Sequence, residues 1–274
     1  MVELIVRGKE IYDKFTKDEM TVYAAQASFF IMIAAFPFLM VLLTGVQVVP
    51  RISQGELLEF VMELVPVAYR SMVFRVMNDL SLKSPATMIS VSAAAALWSS
   101  SRGMMSIARG LNRVHGSERK RWYIVKRLIF MSYTLVFLFS CVLALVLLVF
   151  GDLIQAFLVR LVPLAGDLVQ GVISIRTILT LAVFLLVFDG IYALVPDTKL
   201  PLTSQLPGAL FTTLGWIAFS WVFSLYFRLF AGQNFSYMYG SLTAIVLAML
   251  WLYGCICVLF FGAEINWYWG RKGA

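Results

Sequence analysis

Long apolar runs alternate with short polar breaks along this chain. Six stretches, 22–49, 85–102, 128–150, 177–196, 207–230 and 240–267, stay predominantly apolar for about 20 residues, the length a helix needs to cross the hydrocarbon core of a bilayer. Each is predicted to be a transmembrane helix. In the second, "MISVSAAAALWSSS" is rich in Ala and Ser, so this helix is expected to pack among others rather than against lipid. Its serines are expected to bond within their own helix. Pro37 lies inside the first span and predicts a kink there. Pro207 and Gly208 are expected to start the fifth, where a proline is tolerated in the first turn.

Residues 1–21 follow a different pattern. Leu4, Ile5, Ile11, Tyr12 and Phe15 recur at helical spacing among Glu3, Glu10, Asp13, Asp18 and Glu19. This predicts an amphipathic helix on the membrane surface and no cleavable signal peptide. Residues 55–80 and 152–176 are too broken by charge and proline to span and too apolar to run free. They are predicted as amphipathic or re-entrant helices on the outer side. Within them, "FVMELVPVA" (60–68) matches "FLVRLVPLA" (157–165) without gaps, at an offset of 97 residues. The same offset carries span one approximately onto span three and span two approximately onto span four. A parallel repeat, 22–102 and 119–196, is the expectation. The fold class is therefore all-α: a single polytopic membrane domain, 1–274, with six spans and two outer helices.

Composition agrees. The chain is 61% hydrophobic and 14% charged, against about 45–50% apolar and about 25% charged in soluble domains. Charge then sets orientation. Eight basic residues, Arg102, Arg109, Arg113, Arg119, Lys120, Arg121, Lys126 and Arg127, fall in one stretch with a single acid, Glu118. With the N-terminus inside, fifteen of the 22 Lys and Arg residues lie on the cytoplasmic side and seven outside. The bias puts both termini in the cytoplasm, with the basic stretch as a cytoplasmic loop joining spans two and three. Arg109, Arg113, Arg119, Lys120, Arg121, Lys126 and Arg127 are then candidate contacts for anionic lipid headgroups, and no nucleic-acid partner is expected. The sequence leaves homo-oligomerisation open.

Little classical chemistry is visible. Cys141, Cys255 and Cys257 lie in apolar runs and read as small hydrophobes. No phosphate-binding glycine loop occurs, so no cofactor is expected. Polar groups at membrane depth carry the remaining interest, because they are costly there. Orientation puts Gln26, Arg102, Asp189, Glu264 and Asn266 in one layer of the inner third, Asp189 at about 10 Å depth. Arg102 is expected to pair with Glu264. Asp189 should meet water or neighbouring hydroxyls and amides.

Five stretches, "YAAQASFFIMIAAFPFLM" (23–40), "LWSSSRGMMSIARGLNRVHG" (97–116), "LPGALFTTLGW" (206–216), "YGSLTAIVLAMLWLY" (239–253) and "GAEIN" (262–266), resemble in order and spacing the YihY/BrkB family of bacterial membrane proteins. The resemblance implies about six spans and an inner-membrane location. One branch of that family carries a serum-resistance label, and another long carried the name ribonuclease BN. The residues do not favour the enzyme name: a zinc hydrolase needs several His or Asp ligands, and the chain has one histidine, His115, which reads as a surface side chain of the basic loop. The expectation is a transporter or flippase-like protein for a lipid or amphipathic solute. A non-catalytic scaffold, recruiting anionic lipid or a cytoplasmic partner, is second; an enzyme is last.

Overall fold

A computed structural model describes residues 2–47, 85–117, 125, 127–136, 175–198, 200–227, 229 and 242–272. The outer segment 55–80 and residues 152–174 of the second lie outside the described residues, and with them the matched stretches 60–68 and 157–165 of the expected repeat. The described elements are helices: α1 (Val2–Lys17), α2 (Met20–Gln47), α3 (Pro85–His115), α4 (Arg127–Val136), α5 (Ile175–Leu194), α6 (Leu202–Tyr226) and α7 (Thr243–Lys272). No strand occurs among the described residues. Two compact units divide the chain. One is Met1–Phe29 with Gly103–Ala274, the other Phe30–Arg102, so α2 and α3 contribute to both.

In the smaller unit α2 runs on through Pro37, and Ala34 and Ala96 are buried. The Ser100 and Ser101 hydroxyls donate to the carbonyls of Leu97 and Trp98 one turn back, as their serine run predicts.

In the larger unit, α1 and α2 are separate because the chain breaks at Glu19, which adopts φ 56°. Beyond that break Met20, Ala24, Ala27 and Ser28 line the buried stripe of α2. The expected loop from Arg102 onward is corrected here: α3 stays helical to His115. Its cause is periodic. Met104, Ile107, Ala108, Leu111 and Val114 recur at helical spacing and are buried, while Arg109 and Arg113 lie on the exposed side. Gly116 ends the helix at φ 63°: its N–H reaches the Arg113 carbonyl (3.2 Å) and the Ser117 N–H reaches that of Asn112 (3.0 Å). These paired bonds satisfy carbonyls that a helix end leaves free.

Helices α5, α6 and α7 pack side by side. Phe188 meets Trp216 while Tyr192 meets Thr212, so α5 and α6 run antiparallel. Gly208 meets Asn266 and Ser220 meets Trp251, so α6 and α7 do too. Helix α6 is turned inside out by the standards of a soluble protein. Gln205, Gly208, Ala209, Thr212 and Thr213 are buried, whereas Leu206, Leu210, Leu214, Ile217 and Trp221 are exposed. In water such an apolar face would be a large liability. In lipid it is the expected outer surface, and small residues belong at the helix contacts. A Cβ on Gly208 would strike the Gly262 carbonyl oxygen, and one on Gly262 would strike Thr212 Oγ1. The two backbones touch because neither residue has a side chain.

The start of α6 also differs from expectation. Pro201 is its N-cap and Leu202 its first residue, so Pro207 lies inside the helix rather than in the first turn. The polar run Thr203–Ser204–Gln205 obscured that start; in the structure Ser204 donates through Oγ and N to the Pro201 carbonyl (2.8 and 3.1 Å). By length and composition α6 and the Ile245–Arg271 stretch of α7 suffice to cross a membrane; Met20–Ala35, Arg127–Val136 and Thr180–Leu194 are shorter apolar helices.

Gly208→Val and Gly262→Val are each expected to cost about 1–3 kcal/mol or more through forced overpacking. Gly190→Ala in α5, where an added Cβ meets nothing within 4 Å, should instead be neutral or stabilise by up to about 1 kcal/mol. Thermal denaturation of the three variants in one detergent checks the contrast.

Candidate functional site

The most concentrated polar chemistry lies where α1, the end of α3 and α7 meet. Phe15 of α1 packs on Phe261 of α7 with ring centroids 5.2 Å apart. That contact docks α1 and turns its neighbour Lys14 inward. The Lys14 ammonium then meets three oxygens: Asp18 Oδ2 at 2.6 Å, Glu264 Oε2 at 2.8 Å and the Val114 carbonyl at 3.1 Å. The Asp18 and Val114 oxygens accept hydrogen bonds from two of its N–H groups, and Glu264 is held as an ion pair. The Trp267 ring covers it at 4.5 Å from nitrogen to centroid, within range of a cation–π attraction. The Val114 carbonyl belongs to the last turn of α3, where a cation also meets the negative end of the helix dipole.

Glu264 itself is 0% exposed. Its position follows from the row below it: Phe260, one turn back, fills the space left by Gly110 of α3, where any Cβ would collide with the ring. The Glu264 carboxylate therefore continues that contact toward Val114. Both of its oxygens are buried without a hydrogen bond among the described residues, and Oε2 is held to Lys14 by charge. At the rim Arg113 approaches the other oxygen of Asp18 at 3.6 Å, and Arg271 lies over Trp267. His115, expected on the surface, is half-buried beside this cluster. Burial, and then the nearby Lys14 charge, push its imidazole down to about 4, so it is neutral at pH 7.

A second polar seam runs between α5, α6 and α7. The Tyr192 hydroxyl donates to the Leu259 carbonyl (2.6 Å) and lies 2.5 Å from Thr212 Oγ1. Since its one proton is committed, the Thr212 hydroxyl is the donor to Tyr192. Asn266 Oδ1 accepts from the Gly208 N–H at 2.6 Å, while its Nδ2 is buried without a hydrogen bond. Asp189, one turn before Tyr192, is 6% exposed, and its Oδ1 has no hydrogen bond. Nearby, Asn112 clasps Asp197 by two bonds, 2.7 Å from the Asp197 N–H and 3.2 Å to its carboxylate. This ties the end of α3 to the connection between α5 and α6.

Of the five residues expected in one polar layer, Glu264 and Asn266 lie on different faces of α7, the first toward α1 and α3, the second toward α6. Asp189 is buried on α5, and Gln26 is half-buried on α2. Arg102 belongs to the other compact unit, where its guanidinium lies 5.4 Å from the Phe30 ring centroid. The cation found beside Glu264 is Lys14, from the helix expected to lie on the surface; the pairing of Arg102 with Glu264 stays an expectation. Among the candidate lipid contacts Arg109 and Arg113 are exposed, Arg127 is buried at 4%, and Arg119, Lys120, Arg121 and Lys126 lie outside the described residues. Among the described residues, no group of three or more His, Cys, Asp or Glu side chains gathers to hold a metal.

Lys14, Tyr192, Thr212 and the Asn112–Asp197 clasp were missed by sequence reasoning. Lys14 had a signal in its spacing: it stands four residues before Asp18 and next to an apolar ring.

Comparison with known proteins bears on the whole chain. A family profile described as virulence factor BrkB matches residues 11–273. The ribonuclease-like protein YfkH of Bacillus subtilis is 34% identical over 259 residues, covering 94% of this chain and 93% of that protein. A UPF0761 membrane protein of Photobacterium profundum is 26% identical over 261 residues, covering 93% of this chain and 78% of its own length. The membrane protein YihY of Salmonella newport is 31% identical over 102 residues, 37% of this chain and 34% of that protein. No solved structure matches.

Lys14→Met strands the buried Glu264 carboxylate and is expected to cost about 3 kcal/mol or more. Adding Glu264→Gln should recover much of that loss, which a thermal-stability cycle of the single and double variants measures. His115 has its own pH signature. The unfolded chain takes up a proton near pH 6.5 and the folded one only near 4, so this residue's share of stability is intact above pH 6.5 and lost as pH falls toward 4. Unfolding curves between pH 7 and pH 5 should show a shallower decline for His115→Gln than for the parent.

Proposed function

The chain belongs to the BrkB (YihY) family of membrane proteins, and from that premise we propose that it is a transporter or flippase-like protein for a lipid or an amphipathic solute. In this reading it crosses the bacterial inner membrane six times with both termini in the cytoplasm. One observation carries the proposal. Asp189 is buried in an apolar helix with a carboxylate oxygen that no group among the described residues satisfies. A carboxylate at membrane depth is expensive, and a helix needed only as a strut would place an apolar residue there. Such a group suits a path on which a headgroup, an ion or water supplies the missing partner. With no nucleotide loop in the sequence, transport would be passive or ion-coupled.

The exposed Arg109 and Arg113 on α3 support the second reading, a scaffold that grips anionic lipid. The ribonuclease-like name is read as a label of relatives. The chain's single imidazole is held neutral by burial, with a pKa of about 4 that makes it a weak general base at neutral pH.

Purified protein in vesicles that contain a fluorescent headgroup-labelled lipid is expected to speed the lipid's exposure to a membrane-impermeant quencher. Asp189→Asn should slow that exchange at least about tenfold, or about 1.4 kcal/mol on the barrier. A parent protein indistinguishable from empty vesicles, for both labelled phospholipid and small amphipathic solutes, leaves the scaffold as the better reading.

A further inference from the structure

The surroundings of Lys14 have the chemistry of a ligand site rather than of a simple ion pair. Two carboxylates, a terminal helix carbonyl and an indole face come from α1, α3 and α7 to enclose one ammonium. Two of the oxygens, on Asp18 and Val114, accept hydrogen bonds at 2.6 and 3.1 Å, and Glu264 Oε2 adds its charge at 2.8 Å. The indole closes a remaining side without needing a donor. A quaternary ammonium has no N–H to offer the two accepting oxygens.

Lys14 and Asp18 both come from the end of α1, whereas the remaining walls come from α3 and α7. Lys14 sits on a long flexible stem, and its side chain keeps 18% of its surface exposed. Helix α1, which carries it, ends at the Glu19 break. The walls are different: Glu264 and Val114 are anchored within long packed helices. Glu264 Oε1, buried and unbonded, adds an acceptor that Lys14 does not use.

We propose that Glu264, Asp18, the Val114 carbonyl and Trp267 form a primary-ammonium binding site that Lys14 occupies as a tethered ligand. The site takes in exchange the ammonium group of a free amine or of an amphiphile's headgroup. This rests on the transport reading and names the polar group of its substrate. Exchange requires no covalent change: one ammonium leaves the oxygens and another takes its place. Glu264 Oε1 then accepts any hydroxyl or further N–H that the incoming molecule carries.

The test removes the tether and refills the socket. Lys14→Ala is purified in detergent with millimolar ethylammonium present throughout, then melted with ethylammonium, with tetramethylammonium or with neither. The expected result is a melting point several degrees below the parent, restored for the most part by ethylammonium and not by tetramethylammonium. The gain should vanish when Glu264→Gln is added. No gain, or the same gain from tetramethylammonium or in the double variant, overturns the proposal. A second arm uses the full parent chain, with native mass spectrometry in an equal mixture of phosphatidylethanolamine and phosphatidylcholine. Several-fold retention of phosphatidylethanolamine, abolished by Glu264→Gln, assigns the site to a lipid headgroup; rescue without that preference assigns it to a soluble amine. If Lys14→Ala does not fold under either condition, the parent decides, and equal retention of the two lipids overturns the proposal. These readouts are binding and stability, so they stand apart from the vesicle assay: a protein that moves no lipid still shows the rescue.

Discussion

Where Gly208 faces Gly262, no side chain separates α6 from α7, and the carbonyl of one residue lies where the Cβ of the other would be. Lipid gives two apolar helices no hydrophobic reason to associate, so close backbone approach and buried hydrogen bonds must hold them. The rest of the larger unit follows from this approach. It brings Asn266 to the Gly208 N–H and the Leu259 carbonyl within reach of Tyr192, which joins α5 to the same seam. Trp216 fits the same arrangement, stacking edge-on to Phe188 while its indole N–H reaches the Cys255 carbonyl at 2.6 Å. The large apolar side chains, released from core duty, cover the outside of α6.

The face of α7 that does not meet α6 solves a different problem. Glu264 is buried there, and a carboxylate removed from water needs a close counter-charge. Lys14 supplies it and at the same time neutralises Asp18 and caps a free carbonyl at the end of α3. One flexible side chain thus joins three helices. The arrangement also explains how α1, with charges along most of its length, is held by a mostly apolar protein: Phe15 docks it and Lys14 locks it. His115 completes the junction in its neutral form, since a second cation beside Lys14 would oppose the first.

The two carboxylates with unfilled hydrogen-bonding capacity differ in kind. Glu264 has a charged partner; Asp189, in a largely apolar helix, has an oxygen that no group among the described residues reaches. The first is met by a cation from α1, and the second lies on α5. Both sit on the helices that the α6 seam holds together, so the packing that defines the bundle also fixes where its polar chemistry lies.

Apolar run length was sufficient to indicate a helical membrane protein, because it is a local property summed over a window, and the five quoted stretches carried the family resemblance. Helix positions followed to within a few residues where periodicity was clean, as for α2, α5 and α7. They failed at α3, where charges on one face hid an unbroken apolar stripe on the other, and at α6, whose first turn is polar. Glu264, Asn266 and Asp189 were legible as costly groups at depth, but not their partners. Partner choice depends on which face of a helix meets which neighbour. That was decided only in three dimensions, by glycines small enough to let backbones touch and by a lysine long enough to reach from α1 to α3 and α7.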